Sequence, residues 1–389
     1  MSRKEPPFRE LEQAYREQMA APLAAAREIG EAELVVGIPF YNEAETLPQV
    51  VAQAAEGIKA SFPGSRAVVV CAGAPVGAAA LQTLEQLPLD GKIRKIAFLL
   101  NNRELNGRGW SLRAIMELAY TLGADLTLLE ADLLSEEVDG RRRGFHGRWI
   151  QQLLQPLKEG GFGLTLAHFT RHYLEATVTR LLVYPLLAAL YNQKVHDPLS
   201  GVMGIAHAQL KEFLEDEQVW YGDVGGYGVD VWLVTSAITQ GTRIAEVHLG
   251  QKLHRPSAGK RELIFRQVSK TLFESYIAQR ERLGDHRAAL RTVDAYGQAY
   301  EEPLQAHEMH FRDIMTRFRQ GFNRFYDTLL DKVLPEEARQ QLSELAEAAP
   351  EQFRFSGRLW AQVVYSFLLA FNFRREFARG DLLNALVPL

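Results

Sequence analysis

The stretch Leu126–Ser135, LTLLEADLLS, decides how this chain is read. A short apolar run, Leu126–Leu129, leads straight into two carboxylates, Glu130 and Asp132, held one residue apart. Its length and apolar content predict a buried strand. In open α/β sheets ligands bind beyond the carboxyl ends of the strands, so acids placed there face a bound ligand. Paired oxygens at such an end suit a hard divalent cation, Mg2+ or Mn2+, which can bridge phosphates. Taken alone, an acid-X-acid triplet is as readily a solvated strand end. The company it keeps along the chain decides between the two.

Outward from this stretch, apolar runs recur at Leu34–Phe40 (LVVGIPF), at Ala67–Gly73 (AVVVCAG) and from Lys95 (KIAFLL). Helical periodicity fills 46–59, 78–86 and 110–122. Strand and helix alternating at this spacing predict an α/β class with a doubly wound parallel sheet. The first run closes on a proline, which cannot donate to a ladder, and Asn42 or Glu43 begins the next turn. Residues 1–32 read as an amphipathic helix packed on the domain that follows. Beyond the acids, Arg141, Arg142 and Arg143 between Gly140 and Gly144 predict a solvated turn. A strand over 162–169, a long apolar helix Ala176–Tyr191, a turn at HDPLSG, a short strand over 202–205, a helix over 228–240 and a strand over 243–249 follow. From about Ser257 onward the pattern predicts helices over 262–282, 287–300, 305–334 and 357–379. The expected units are 1–32, 33–257 and 258–389, the last all helical, with Tyr365, Phe367, Phe371 and Phe373 in its core.

The 389 residues are 47% apolar and 24% charged, the balance of a soluble globular protein. A net charge of -4 argues against nucleic acid as partner. One cysteine, Cys71, allows no internal disulfide and suits a reducing compartment. The amino-terminal residues lack a signal peptide's apolar core, and no run approaches the ~20 apolar residues of a membrane span. The expectation is a cytoplasmic protein with no membrane span, and the apolar tail raises a homodimer as a further expectation.

The first run ends in IPFYNEAETL, residues 38–47. It resembles the GT-A glycosyltransferases, whose first strand ends in proline, a hydrophobic or aromatic residue and Asn-Glu. The resemblance implies a GT-A core, the Rossmann-like fold of nucleotide-diphospho-sugar transferases, here with a helical C-terminal extension. It assigns Pro39, Phe40, Tyr41 and Glu43 to the nucleotide. Helix capping by Asn42 and Glu43 accounts for the same residues on physical grounds. In NGRGWSLRAIM, residues 106–116, Arg108 stands where the family has the lysine of Gly-Lys-Gly, and its bidentate fork suits a diphosphate. Gly107 and Gly109 allow close backbone approach. The second strand departs from the family: Cys71-Ala72-Gly73-Ala74 replaces an aspartate that reads uracil. The donor base is therefore left open among UDP-glucose, GDP-glucose and GDP-mannose.

Residues 220–257, WYGDVGGYGVDVWLVTSAITQGTRIAEVHLGQKLHRPS, carry the most specific pattern. With ATVTRLLVYPLLAAL at 176–190 and DPLSG at 197–201, they closely resemble the retaining glucosyl-3-phosphoglycerate synthase family over roughly 34–257. The tail segment RLWAQVVYSFLLAF looks more like the mannosylglycerate and glucosylglycerate synthases. The resemblance implies Asp132 and His254 as ligands of Mg2+ or Mn2+. Glu130 takes the first acidic position, where its longer arm reaches toward a ribose hydroxyl. Asp230 would hold the donor sugar, Gly201 would give the donor phosphates room, and Tyr227, Gly225 and Gly226 would line the acceptor pocket. Arg171, Thr177, Val178, Thr179 and Arg255 complete the acceptor set. Where the family has Gly-Arg, this chain has Ala176-Thr177. Losing that fork favours D-glycerate over 3-phosphoglycerate as acceptor, unless Arg171, His172 or Arg180 compensates. The implied activity is metal-dependent, retaining transfer of glucose or mannose to the acceptor. The alternatives are an inverting transferase acting on a lipid phosphate or polysaccharide, with Asp223 or Asp230 as base, and an inactive nucleotide-sugar-binding protein.

Overall fold

The computed structural model describes residues 8–138, 140–172, 174–255, 259–283, 289–299 and 311–389. Its first part is α1 (Phe8–Ile29), β1 (Leu34–Phe40), α2 (Leu47–Ser61), β2 (Ala67–Gly73), α3 (Ala78–Glu85), β3 (Ile93–Leu99), α4 (Arg108–Thr121) and β4 (Asp125–Leu128). Every residue of β1 and β2 is buried, which is why both read as unbroken apolar runs: helices cover both faces of the sheet. These strands pair in parallel, with Gly37 opposite both Val70 and Leu128.

The chain continues through β5 (Ser135–Val138), β6 (Arg141–Gly144), α5 (Arg148–Gly160), β7 (Leu164–Thr170), a wide π turn (Thr179–Val183), α6 (Tyr184–Tyr191), β8 (Gln193–Lys194) and β9 (Met203–Ile205). Then come α7 (His207–Leu214), α8 (Val229–Thr239), β10 (Ile244–Gln251), α9 (Arg261–Gln279), β11 (Arg291–Thr292) and β12 (Asp294–Tyr296). The tail holds α10 (Phe311–Phe325), α11 (Asp331–Val333), α12 (Glu336–Glu347), α13 (Gly357–Phe373) and α14 (Arg379–Leu386). Eight strands form one sheet in the order β12-β10-β7-β9-β4-β1-β2-β3. One hydrophobic layer joins a face of this sheet to α1, α4, α6 to α9 and the tail helices. The other joins the opposite face to α2, α3 and α5.

The sheet is mixed rather than parallel, because β9 runs antiparallel to both β4 and β7. It leaves the Asp197–Gly201 turn, which lies at the carboxyl edge, so it has to run back down the sheet. Of the segment 287–300, expected to be a helix, the described residues 289–299 hold no helix. There β11 pairs in parallel with β8, Thr292 opposite Lys194, and β12 with β10, Asp294 opposite Ala245; Thr292, Val293 and Tyr296 are the β-branched and aromatic types that strands favour. Residues 305–310 of the expected third tail helix lie outside the described residues. The basic cluster is a strand, not a loop: Glu136 pairs opposite Arg143 and Glu137 opposite Arg142 in an antiparallel hairpin of alternating charge. The long helix from Ala176 is broken by the π turn, and the last helix stops at Phe373, with α14 separate. In α13, Phe367 and Phe371 are buried but Tyr365 and Phe373 are exposed on the opposite face, so only half of that aromatic set is core. No described helix is long and apolar enough to cross a membrane.

Helix α1 is tied to α4 by Arg113, which is 1% exposed. Its guanidinium donates to both Glu12 oxygens at 2.9 and 3.0 Å and lies 4.1 Å from the Tyr15 ring centre.

Candidate active site

Strand pairing carries the chain up to the residue before the first acid: Leu129 N–H donates to Gly37 O at 2.9 Å. The Thr46 hydroxyl, spared from capping α2, donates to Ala131 O at 2.7 Å. On the other side Leu133 bridges His254, and Leu134 N–H donates to Leu253 O at 2.8 Å. The triplet Glu130-Ala131-Asp132 is thus clamped between the loop after β1 and the segment after β10.

Glu130 is not free to act. It forms ion pairs with Lys252 and, at 3.7 Å, with Arg108 Nη1. Burial works to raise its pKa, but Lys252 and Arg108 outweigh that and hold it down to about 2. Lys252 also donates to Ser200 O at 2.8 Å. Gly201, at φ 73°, lies against the same carboxylate, and a Cβ there would overlap Glu130 Oε1. The room expected for donor phosphates at Gly201 is therefore taken by Glu130.

Arg108 is the hub. Its Nε donates to Asp230 Oδ2 at 3.1 Å, and its Nη2 donates to Asp230 Oδ1 at 3.4 Å and to Gly201 O at 3.3 Å. Burial opposes the charge, but Asp230 and Glu130 more than offset it, so the guanidinium pKa is raised. Asp230 itself is 8% exposed at the start of α8. The glycines beside Arg108 have a protein reason: Gly109 N–H donates to Gly226 O at 3.1 Å, and side chains at Gly107 or Gly109 would collide with the carbonyls of Gly225 and Val224. Close approach here serves the turn 222–228. Tyr227 is half-buried in that turn, its N–H donating to Gln267 Oε1 at 2.9 Å.

Asp132 differs from Glu130 in having, among the described residues, no ion-paired lysine or arginine. Burial first, and then the charge on Glu130, raise its pKa. Its Oδ2 lies 3.9 Å from His254 Nδ1, and about 30% of each side chain is exposed. His254 Nδ1 lies 2.9 Å from Arg255 O, a contact that requires a proton on Nδ1 and leaves Nε2 with the lone pair. A half-exposed carboxylate under net negative charge beside an oriented imidazole fits a divalent cation. Two protein ligands would leave the other positions to water and phosphate oxygens, as Mg2+ commonly requires.

The remaining residues divide. Glu43 Oε2 accepts from the N–H groups of Tyr41 and Asn42 at 2.6 and 3.0 Å, so its carboxylate shapes its own loop. Tyr41 is exposed under Lys260 Nζ, 4.8 Å from the ring centre. Phe40 is 5% exposed, and its ring occupies the space above Gly73 and Gly77, so it belongs to the core, and Pro39 lies in β1 opposite Ala72. Arg255 reaches Glu45 in the loop after β1. Arg171 Nη2 pairs with Asp197 Oδ2 at 2.9 Å. Thr179 is buried at the start of the π turn, Val178 is half-buried and Thr177 exposed. The structure thus gathers Arg108, Glu130, Asp132, Gly201, Gly225, Gly226, Asp230 and His254 on one edge. Sequence reasoning missed Lys252, whose signal was its place two residues before His254, on the same side of an extended segment.

No protein-family profile matches the chain, and no curated protein matches its sequence. Solved structures of glucosyl-3-phosphoglycerate synthase from Mycobacterium tuberculosis are similar to it. One, in complex with Mn2+, uridine diphosphate and phosphoglyceric acid, is 21% identical with a TM-score of 0.44, over 66% of this chain and 82% of that one. A second, with Mn2+, UDP-glucose and phosphoglyceric acid, is 21% identical with a TM-score of 0.45, over 66% and 83%. A third, with phosphoglyceric acid, is 20% identical with a TM-score of 0.44, over 71% and 86%.

Proposed function

We propose that this chain is a metal-dependent glycosyltransferase with a GT-A core, moving glucose or mannose from a nucleotide-diphospho-sugar to D-glycerate with retention. The observation that carries the reading is the meeting, at one strand edge, of the Asp132–His254 pair with Arg108 locked by Asp230. Asp132 and His254 would hold Mg2+ or Mn2+, and a cation so held neutralises charge on a departing diphosphate. Arg108 presents a fixed, charge-assisted donor array to the same group.

Retention is the reading that the engagement of three of the carboxylates supports. Glu130 is paired with Lys252 and Arg108, Asp230 with Arg108, and Asp223 with Lys270 Nζ at 3.0 Å. None of these three is an unpaired nucleophile or base. In the proposed step the bond from the anomeric carbon to the phosphate oxygen breaks, and the acceptor hydroxyl oxygen bonds to that carbon on the same face. The hydroxyl proton ends on the departing phosphate oxygen, so the protein supplies positioning and charge. The acceptor reading is supported by the engagement of Arg171 and Arg180: one is paired with Asp197, and the other donates to His172 O at 3.3 Å. Neither replaces the fork lost at Thr177, which favours an acceptor without phosphate.

The test is product formation with Mn2+ or Mg2+ from UDP-glucose, GDP-glucose and GDP-mannose, each offered D-glycerate and 3-phosphoglycerate. The expected product is a hexosylglycerate, with Arg108→Ala at least about 100-fold slower. Turnover of 3-phosphoglycerate alone would refute the acceptor assignment, and silence in every combination would refute the function.

A further inference from the structure

A second set of ligating side chains lies on the sheet, apart from the edge just described. His168 of β7 and His248 of β10 are register partners, and Glu246 stands two residues earlier on the same face of β10. The segment after β8 adds His196, whose ring stacks on His168 at 5.2 Å and 3°. The His248 ring lies 4.5 Å from that of His168, tilted by 32°. Ligand atoms of His168, His196 and Glu246 all lie within 4.8 Å of one another.

Glu246 is 2% exposed and firmly placed: Oε1 accepts from His196 N–H at 2.6 Å and Asp197 N–H at 3.1 Å, and Oε2 lies 2.7 Å from His196 Nδ1. Two polar groups beside it are left over. Among the described residues the His168 imidazole makes no hydrogen bond, only ring contacts. Asp197, 3% exposed, has an Oδ1 with no hydrogen-bond partner, and its charge reaches His168. A buried carboxylate oxygen without a partner is costly unless a further group satisfies it, and the half-buried His168 ring is free to turn toward such a group.

We propose that His168, His196 and Glu246 form a second divalent-metal site, of the imidazole-preferring class represented by Zn2+, distinct from the Asp132–His254 site. Two imidazoles and one carboxylate are an established zinc donor set, whereas Mg2+ takes oxygen ligands. At metal–ligand distances of about 2.0–2.2 Å the ligand atoms stand about 3–4 Å apart, so a small rotation of the otherwise unbonded His168 ring completes the set. The ion would tie the segment 195–201 to β10. That segment supplies the Ser200 and Gly201 carbonyls that hold Lys252 and Arg108, so the site is structural support for the edge above it. It does not depend on the glycosyltransferase reading.

The experiment is Zn2+ competition against a chromophoric chelator on chelator-stripped full-length protein, with Co2+ absorption as a second readout. Four proteins are compared: wild type, the double variant Asp132→Asn/His254→Ala, His168→Ala and Glu246→Gln, with folding of each checked by circular dichroism. Wild type and the double variant are expected to bind one tight Zn2+, and His168→Ala to bind it at least about tenfold more weakly while folded. His168→Gln replaces His168→Ala if the latter fails to fold. The proposal is overturned if wild type binds no tight Zn2+, if folded His168 variants keep wild-type affinity, or if binding is lost only in the double variant.

Discussion

Glu130 concentrates the site's electrostatics in one carboxylate. Its folded pKa of about 2 lies below its ordinary 4.5, so its ion pairs stabilise the fold fully above 4.5 and that stability is lost as pH falls toward 2. Urea unfolding across that window is expected to show a steep acid-side loss in wild type and a shallower one in Glu130→Gln. The variant is also less stable at neutral pH, because Lys252 loses its partner; equal acid slopes would contradict the assignment. Ala176 is a second special position, a non-glycine residue at φ 50°. Ala176→Gly is expected to stabilise the chain by about 0.5 kcal/mol in chemical denaturation, the relief of left-handed strain outweighing added chain entropy. At this scale the sequence foretold which residues meet at the edge, among them Arg108, Asp132 and His254. It misled at Phe40, because which way an aromatic turns depends on the space left by Gly73 and Gly77, far along the chain.

Among the elements, β1, β2 and β4 were readable because burial on both faces writes an unbroken apolar run. The direction of β9 was not, since three residues carry no direction of their own and the turn at Asp197–Gly201 sets it. Nor was β12, where weak helical periodicity masked a short run whose strand state comes from pairing with β10. Helix α1 shows the same limit: its amphipathic pattern foretold packing, but not that Arg113 would be buried with Glu12 as its anchor. Among the described residues Glu12→Ala leaves that guanidinium with one carboxylate partner, Glu117 at 3.3 Å, and is expected to cost about 3 kcal/mol in thermal or urea unfolding. A loss under about 0.5 kcal/mol would mean that α1 is not held by this pair.

Across the whole molecule, the mixed sheet brings the carboxyl ends of β1, β4, β7 and β10 and the start of β9 to one edge. Contacts distant in sequence then close that edge: Leu133 with His254, Glu45 with Arg255, Arg108 with Asp230. Such long-range closure is what a linear pattern cannot display, and it brings Asp132 and His254 side by side from two distant motifs. The most direct measurement of the central claim is calorimetric binding of UDP-glucose and GDP-glucose with Mn2+ and with chelator, in wild type and in Asp132→Asn/His254→Ala. The account predicts nucleotide-sugar binding that requires Mn2+ and weakens at least about tenfold in the double variant. Equal affinity with and without metal, or full metal-dependent binding in the variant, would contradict it.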